Sequence, residues 1–399
     1  MTAVVAAAHT KTEERRALGV ACGAHVLHDG YTDLVYLMLP IWQAEFGLGY
    51  AELGLMRTVF SGTLAGFQIP SGFLTERFGA PVVLAFGTAL AGFGYCLAGL
   101  SHGVMLLVAA LFVGGLGAST QHPIGSSLVT HIFAGPRSMK AFGTYNFSGD
   151  IGKMTVPAAA SLLFVVLPWR EAVAMLGGIG LLAGIAIFVL MPRFSTAALP
   201  HKSEDTAPVA GSRSVYGFPL LLSIGIIDSA TRMGFLMFLP FVLTAKGASL
   251  QTVGLALSLV FAGGALGKLV CGFIGARVGV VTTVLLTEGM TALGIVALLP
   301  LPLEAALLLL PLVGIALNGT SSVVYGSVPE MVAPAKRQRA FSIFYTGTIG
   351  AGAVSPALYG LLGDAVGVPM ALTVVAACVL LTLPIAVALR PALASASGP

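Results

Sequence analysis

Residues 72–79 read Gly-Phe-Leu-Thr-Glu-Arg-Phe-Gly, and residues 272–279 read Gly-Phe-Ile-Gly-Ala-Arg-Val-Gly. Each copy follows one long apolar run and precedes another. The same offset pairs Pro40 with Pro240, Tyr145 with Tyr345 and Gly152 with Gly352. A chain that repeats itself halfway and is this apolar reads as a duplicated bundle of membrane helices. Parallel repeats of that kind place a binding site near the bilayer midplane, between the two halves.

Composition sets the solvent. Of 399 residues, 57% are hydrophobic and 9% charged, against roughly 25% charged in an ordinary soluble domain. That much apolar surface needs lipid around it. Cys22, Cys96, Cys271 and Cys378 all fall inside apolar runs, at spacings that suit neither a zinc site nor a disulfide framework. The net charge of +4 is explained by its distribution and implies no nucleic-acid partner. The short, weakly apolar N-terminus, with Lys11, Glu13, Glu14, Arg15 and Arg16 ahead of the first long run, does not resemble a cleavable signal.

A helix needs about 20 apolar residues to cross the hydrocarbon. Twelve such segments are expected, at roughly 18–42, 51–74, 80–100, 103–131, 139–167, 171–191, 217–244, 250–274, 280–300, 303–328, 340–362 and 368–389. The polar stretch Arg193 to Arg213, with His201-Lys202-Ser203-Glu204-Asp205, separates spans six and seven. The expected organisation is an all-α membrane protein: a six-helix bundle over 1–192, a cytoplasmic linker over 193–216 and a second six-helix bundle over 217–399. With both termini cytoplasmic, 14 of the 20 Lys and Arg face the cytoplasm: 11, 15, 16, 77, 137, 140, 193, 202, 213, 277, 336, 337, 339 and 390. Only Arg170 and Lys246 fall in outer loops. That asymmetry is the positive-inside pattern and predicts a multi-pass protein of a bacterial-type inner membrane.

Twelve spans, a central linker and Gly-x-x-x-[Asp/Glu]-Arg-x-Gly between spans two and three resemble the major facilitator superfamily. In that family the acidic residue and arginine brace the cytoplasmic ends of helices. Gly72, Glu76, Arg77 and Gly79 match, with Glu for the usual Asp and Ala80-Pro81 for the usual basic pair. The second copy keeps Gly272, Arg277 and Gly279 but carries Ala276 at the acidic position. More narrowly, His25-Val-Leu-His28-Asp29-Gly30, Pro40 and Gln121-His122-Pro123-x-x-Ser126 resemble the fosmidomycin-resistance branch. The resemblance implies proton-driven efflux of a drug or metabolite, by a protein that commonly works as a monomer. Arg57, Asp150 and Lys153 stand where that branch usually carries uncharged residues, so its substrate does not carry over. Gly149, Gly152 and Pro157 loosely match a glycine-proline motif of antiporters.

A charge at the centre of a membrane helix costs about 2.5–3.5 kcal/mol on insertion scales, so each one needs a partner or a wet cavity. In span one, His25, Asp29 and Asp33 recur at i, i+4 and i+8 beside His28, Thr32 and Tyr36. They form one polar stripe that must face the bundle interior. Asp29 and Asp33 are the expected proton-coupling groups, with His25 hydrogen-bonded to Asp29. Asp150 and Lys153, and likewise Asp228 and Arg232, stand at intrahelical pair spacing. At the 200-residue offset Asp228 and Arg232 match His28 and Thr32, as expected around a shared site. Arg57 and Lys268, on the second helix of each half, have no acidic neighbour at helical spacing. They call for a partner on another helix or an anionic substrate. Glu288 falls on a helix expected at the periphery and is given no role. His122, Asn318 and Tyr36 complete the candidate substrate-binding set. Polar groups of this kind more often join helices.

These residues predict a proton-coupled secondary transporter of a small organic molecule or anion, most simply an exporter by antiport, with sodium as an alternative coupling ion. An uptake symporter of organic anions is one alternative. A transition-metal or metal-chelate carrier is another, with His25, His28, Asp29, Asp33 and His122 as ligands. No cofactor is implied. Neither His-Glu-x-x-His, nor Gly-x-Ser-x-Gly, nor a nucleotide loop occurs, and no enzyme activity is expected.

Overall fold

A computed structural model describes residues 10–133, 136–192, 216–333 and 336–396. The expected linker over 193–216 lies almost wholly outside the described residues. Those residues are helical throughout, with no strand among them: α1 (Lys11–Phe46), α2 (Tyr50–Gly66), α3 (Gln68–Phe78), α4 (Ala80–Gly99), α5 (Val104–Ala118), α6 (Gln121–Ile132), α7 (Pro136–Val166), α8 (Trp169–Leu190), α9 (Gly217–Ala245), α10 (Leu250–Val278), α11 (Val280–Leu298), α12 (Leu303–Met331), α13 (Arg337–Val366), α14 (Val368–Leu380) and α15 (Thr382–Ala396).

Ten stretches among the described residues are long and apolar enough to cross a membrane. The expected spans from three to twelve are all represented; the first two fall short for physical reasons. Helix α1 has 36 residues, but its buried His25, His28, Asp29 and Asp33 dilute the apolar run. The second expected span breaks at Phe67 into α2 and α3. Breaks also divide span four between α5 and α6, and span twelve between α14 and α15.

The chain groups into two units whose borders fall inside helices. The first comprises 1–32, 66–156 and 166–200; the second comprises 33–65, 157–165 and 201–399. Helix α1 is therefore divided between Thr32 and Asp33, and α7 between Val156 and Pro157. In the first unit Ala17, Leu84, Leu128, Val129, Tyr145 and Ile187 form a buried core. In the second, Leu221, Ile224, Val284, Val324, Phe344 and Leu389 do the same. Burial of such side chains adds little against lipid, so close packing and polar contacts have to hold the helices together.

The sequence repeat recurs in the backbone. Gly79 and Gly279 both take φ 84°, and Gly47 and Gly247 take φ 65° and 88°. These left-handed values favour glycine and end a helix in the same place in each copy. Cations close two loops in matching ways. Arg170 Nε donates to the Ser101 carbonyl (2.9 Å) just beyond α4. Lys246 Nζ donates to the Leu299 and Leu301 carbonyls (2.7 and 2.6 Å) just beyond α11. Positive charge at a helix C-terminus complements the helix dipole. In the loop motif, Glu76 and Arg77 are exposed near the end of α3, with Arg77 over the Phe78 ring.

Candidate functional site

In the first unit, the interior face of α1 meets α6 and α7 around Asp29. Its carboxylate is buried, and three side chains converge on it. His25 Nε2 lies 3.5 Å from Oδ2, Lys153 Nζ lies 3.4 Å from Oδ2, and His122 Nε2 lies 3.5 Å from Oδ1. His25 comes from one turn earlier on α1, Lys153 from α7 and His122 from the start of α6. Lys153 thus reaches across to α1, where intrahelical spacing suggested Asp150 as its partner. Asp150 is itself buried. Helical spacing cannot anticipate this contact, because it depends on how α7 crosses α1.

That crossing is tight. A Cβ at Gly149 would stand 2.6 Å from His25 Nε2 and 2.7 Å from Asp29 Oδ2. A Cβ at Gly152 would run into the Val26 carbonyl, and one at Gly30 into Val156. Glycine on both helices lets the backbones approach and seats Lys153 against α1. Tyr145 supports the other side, its ring stacked on His25 at 4.2 Å between centroids. Tyr145 is held by Gln121, whose Nε2 donates to the tyrosine hydroxyl (3.0 Å). Nothing in the sequence marked Tyr145 or Gly149 as parts of this site beyond their place in the repeat and the glycine motif.

The hydrogen bonds of His25 control what it can do. Its Nδ1 is 2.8 Å from the Tyr145 carbonyl, which only accepts, so Nδ1 carries the hydrogen. The Nε2 that faces Asp29 is then bare in the neutral ring. One added proton turns the Nε2–Asp29 contact into a hydrogen bond. Removing it leaves two lone pairs opposed, with Lys153 to balance the carboxylate.

His28 turns to a different partner. Its Nε2 lies 2.9 Å from Thr88 Oγ1, which itself donates to the Leu84 carbonyl, so His28 donates here. Its Nδ1 is buried without a hydrogen-bond partner. This bears on the metal reading. Ligand atoms of His25, Asp29 and His122 do come within 4.8 Å of one another, but His28 and Asp33 are not part of the group. The Lys153 ammonium already sits against the shared carboxylate. A divalent ion there would face like charge, and the five-ligand set expected from sequence does not assemble.

In the second unit, Arg57 on α2 is 2% exposed. Its guanidinium carbon lies 4.6 Å from the Tyr36 ring centroid and 5.7 Å from that of Phe60. Tyr36 is within hydrogen-bonding reach of the guanidinium and passes its own O–H to Met233 Sδ (2.9 Å). Arg57 Nε and Nη1, however, are buried with no hydrogen-bond partner. Asp33 belongs to this unit and acts electrostatically on Tyr36. The single polar stripe expected on α1 is therefore shared: His25 and Asp29 serve the first unit, Asp33 and Tyr36 the second.

Further along the second unit, Asp228 on α9 hydrogen-bonds Glu288 of α11. Arg232, expected as its direct partner, acts on Asp228 electrostatically from one turn away. Asn318 Nδ2 donates to the Gly314 carbonyl of its own helix (3.1 Å) and fills the space over Gly264. That is a packing role. Lys268 is half-buried on α10.

The model of the Major Facilitator Superfamily matches residues 21–227 and 221–398. Among curated proteins, the chain is 26% identical over 287 residues to the fosmidomycin resistance protein of Escherichia coli (strain K12), covering 69% of this chain and 70% of that one. It is 24% identical over 247 residues to a probable L-galactonate transporter of the same organism, covering 58% of this chain and 54% of that one. With the probable sulfoacetate transporter SauU of Cupriavidus necator it shares 28% over 166 residues, 41% of this chain and 38% of that one. Two solved structures share the fold. A bacterial homolog of the human lysosomal transporter Spinster superposes with a TM-score of 0.77 at 15% identity, covering 98% of each chain. The nucleoside transporter NupG does so at 0.76 and 13%, covering 95% of this chain and 99% of that one.

Proposed function

Because the chain belongs to the Major Facilitator Superfamily, and is thus a multi-pass membrane transporter of small molecules and not an enzyme, we propose that its cargo is a small organic anion, exported in exchange for protons. The observation that carries this reading is Arg57. A guanidinium buried with two donor nitrogens unused pays the desolvation of a charge and lacks the hydrogen bonds that offset it. The oxygens of a carboxylate, phosphonate or sulfonate are the charged acceptors such donors call for. L-galactonate and sulfoacetate, in the names of two relatives, are anions, which supports the same class here.

Proton coupling falls to Asp29 with His25, and to Asp33 beside Tyr36. Protonation changes the cost of presenting each carboxylate to a dry or a wet cavity. The architecture that goes with this function is twelve spans in two six-helix halves, 1–192 and 217–399, joined by a cytoplasmic linker. The α1 and α2–α3 segments supply the first two spans. The protein sits in the inner membrane with both termini cytoplasmic, works as a monomer and alternates access between the two sides.

Purified protein in proteoliposomes with an internal pH dye tests the reading. A carboxylate, a phosphonate, a sulfonate and an amphiphilic cation would each be presented under an imposed proton gradient. Anion flux coupled to opposite proton flux, reduced at least tenfold in Arg57→Ala and partly kept in Arg57→Lys, is the expected result. Cation flux that ignores Arg57→Ala would remove the anion assignment. Anion and proton moving together would replace antiport by symport.

A further inference from the structure

Glu288 has no part in the site around Asp29, yet it is 1% exposed in the middle of α11. Its carboxyl hydrogen-bonds Asp228 of α9, which is 5% exposed. Two carboxylates offer only acceptors, so a hydrogen bond between them exists only when one holds a proton. We propose that Asp228 and Glu288 form a second proton-binding site, in which a single proton is shared and resides on Glu288.

The placement on Glu288 follows from the neighbours. Arg232 lies one turn beyond Asp228 on the same helix and favours the ionised form there. Glu288 Oε1 is buried and has no hydrogen-bond partner. An orphaned oxygen is far less costly as the carbonyl of a neutral acid than as half of a carboxylate. The other oxygen can donate to Asp228. Thr320 of α12 contacts the Glu288 carboxyl, and its hydroxyl lies 2.6 Å from that of Thr287. With one proton present, the charges of Asp228, Glu288 and Arg232 cancel. Loss of that proton leaves a net negative charge in a buried cluster.

On α10 and α12, which pack against α11, the charged side chains are Lys268, half-buried, and Arg277, Glu304 and Glu330, exposed. Helix α12 contributes Thr320 and Tyr325, and Tyr325 bonds Thr348. Helix α10 contributes Cys271, which packs with Thr287 around Gly319. On α14 the only titratable group, Cys378, is engaged with Tyr359, and on α15 Arg390 is exposed. The group of Asp228, Glu288 and Arg232 itself has one base, one acid and one fixed cation. It lies in the second unit and does not depend on the role assigned to Asp29.

Infrared difference spectroscopy of the purified full chain, in detergent at neutral pH, tests this directly. The wild type should show the C=O stretch of a protonated carboxylic acid that is sensitive to deuterium exchange. That band should vanish in Glu288→Gln, whose amide keeps the donor to Asp228. It should persist but shift in Thr320→Val, which alters its partners without removing it, and weaken in Asp228→Asn, where Glu288 is left to balance Arg232. A potentiometric titration should also lose one proton in Glu288→Gln relative to wild type. A spectrum unchanged by all three substitutions would overturn the proposal. A band lost in Asp228→Asn but retained in Glu288→Gln would place the proton on the wrong residue and equally reject it. Because the Asp228→Asn and Thr320→Val readouts stand alone, failure of Glu288→Gln to fold does not shield the idea.

Discussion

Gly149 has no side chain to spare room for, because His25 Nε2 and Asp29 Oδ2 already fill the space where a Cβ would go. Gly149→Ala should therefore push those two groups apart. The expected cost is about 1–3 kcal/mol, as for other overpacked sites, together with loss of proton-coupled flux. Gly143→Ala on the same helix, where nothing stands within 4 Å, is the matched control and should behave as wild type in thermal stability and transport. Asp29→Asn makes a complementary prediction. It preserves shape and removes the carboxylate charge that faces Lys153, so binding of cargo should survive while proton movement on ligand addition is lost. A pH-dye measurement with intact proton release would return Asp29 to a packing role.

Among the helices, the start of α2 shows how the duplicated halves diverged. In the second copy Ser249 caps α10, its Oγ accepting from Thr252 N at 3.2 Å. The corresponding residue in the first copy is Gly49, which has no capping side chain. Asp364 of α13 supplies the cap instead, accepting from Tyr50 N and Ala51 N at 2.7 and 2.9 Å. Glu52 Oε2 adds a bond from Gly49 N at 2.8 Å. A Cβ on Gly49 would stand 3.0 Å from both Asp364 carboxylate oxygens. Asp364→Ala should lower stability by about 1 kcal/mol, the usual cost of a lost N-cap, read as a lower melting temperature. Adding Gly49→Ser to Asp364→Ala should recover much of that loss by rebuilding the local cap of the other half. Gly49→Ser alone should destabilise through crowding, and equal melting temperatures for all three would reject this account.

For the molecule as a whole, the prediction with most reach is orientation. The distribution of Lys and Arg predicts the exposed His102 outside and the exposed Lys336 inside. A membrane-impermeant maleimide should label His102→Cys in intact cells and Lys336→Cys only in inverted vesicles. The reverse pattern would invert the topology. Helix content, the positions of ten apolar spans and the 200-residue repeat were legible in the chain, because hydropathy and glycine placement are local properties. Helix breaks at Phe67, Ser119–Thr120 and Leu381 were not, although Pro70, Pro123 and Pro384 follow them, because a proline can equally sit inside a continuous helix, as Pro40 and Pro240 do.

The sequence alone determined that this is a duplicated helical membrane protein, and that its rare intramembrane charges matter. Insertion into lipid penalises each such charge wherever its neighbours are, so their presence can be read residue by residue. Partnership was decided only by tertiary structure. Lys153 answers Asp29, not just its own helix; Asp228 answers Glu288; the polar stripe of α1 is divided between two units; Arg57 keeps two donors unused. Each of these depends on which helix faces lie within a few ångströms of each other, and that is set by glycine-mediated close approach between segments far apart in the chain.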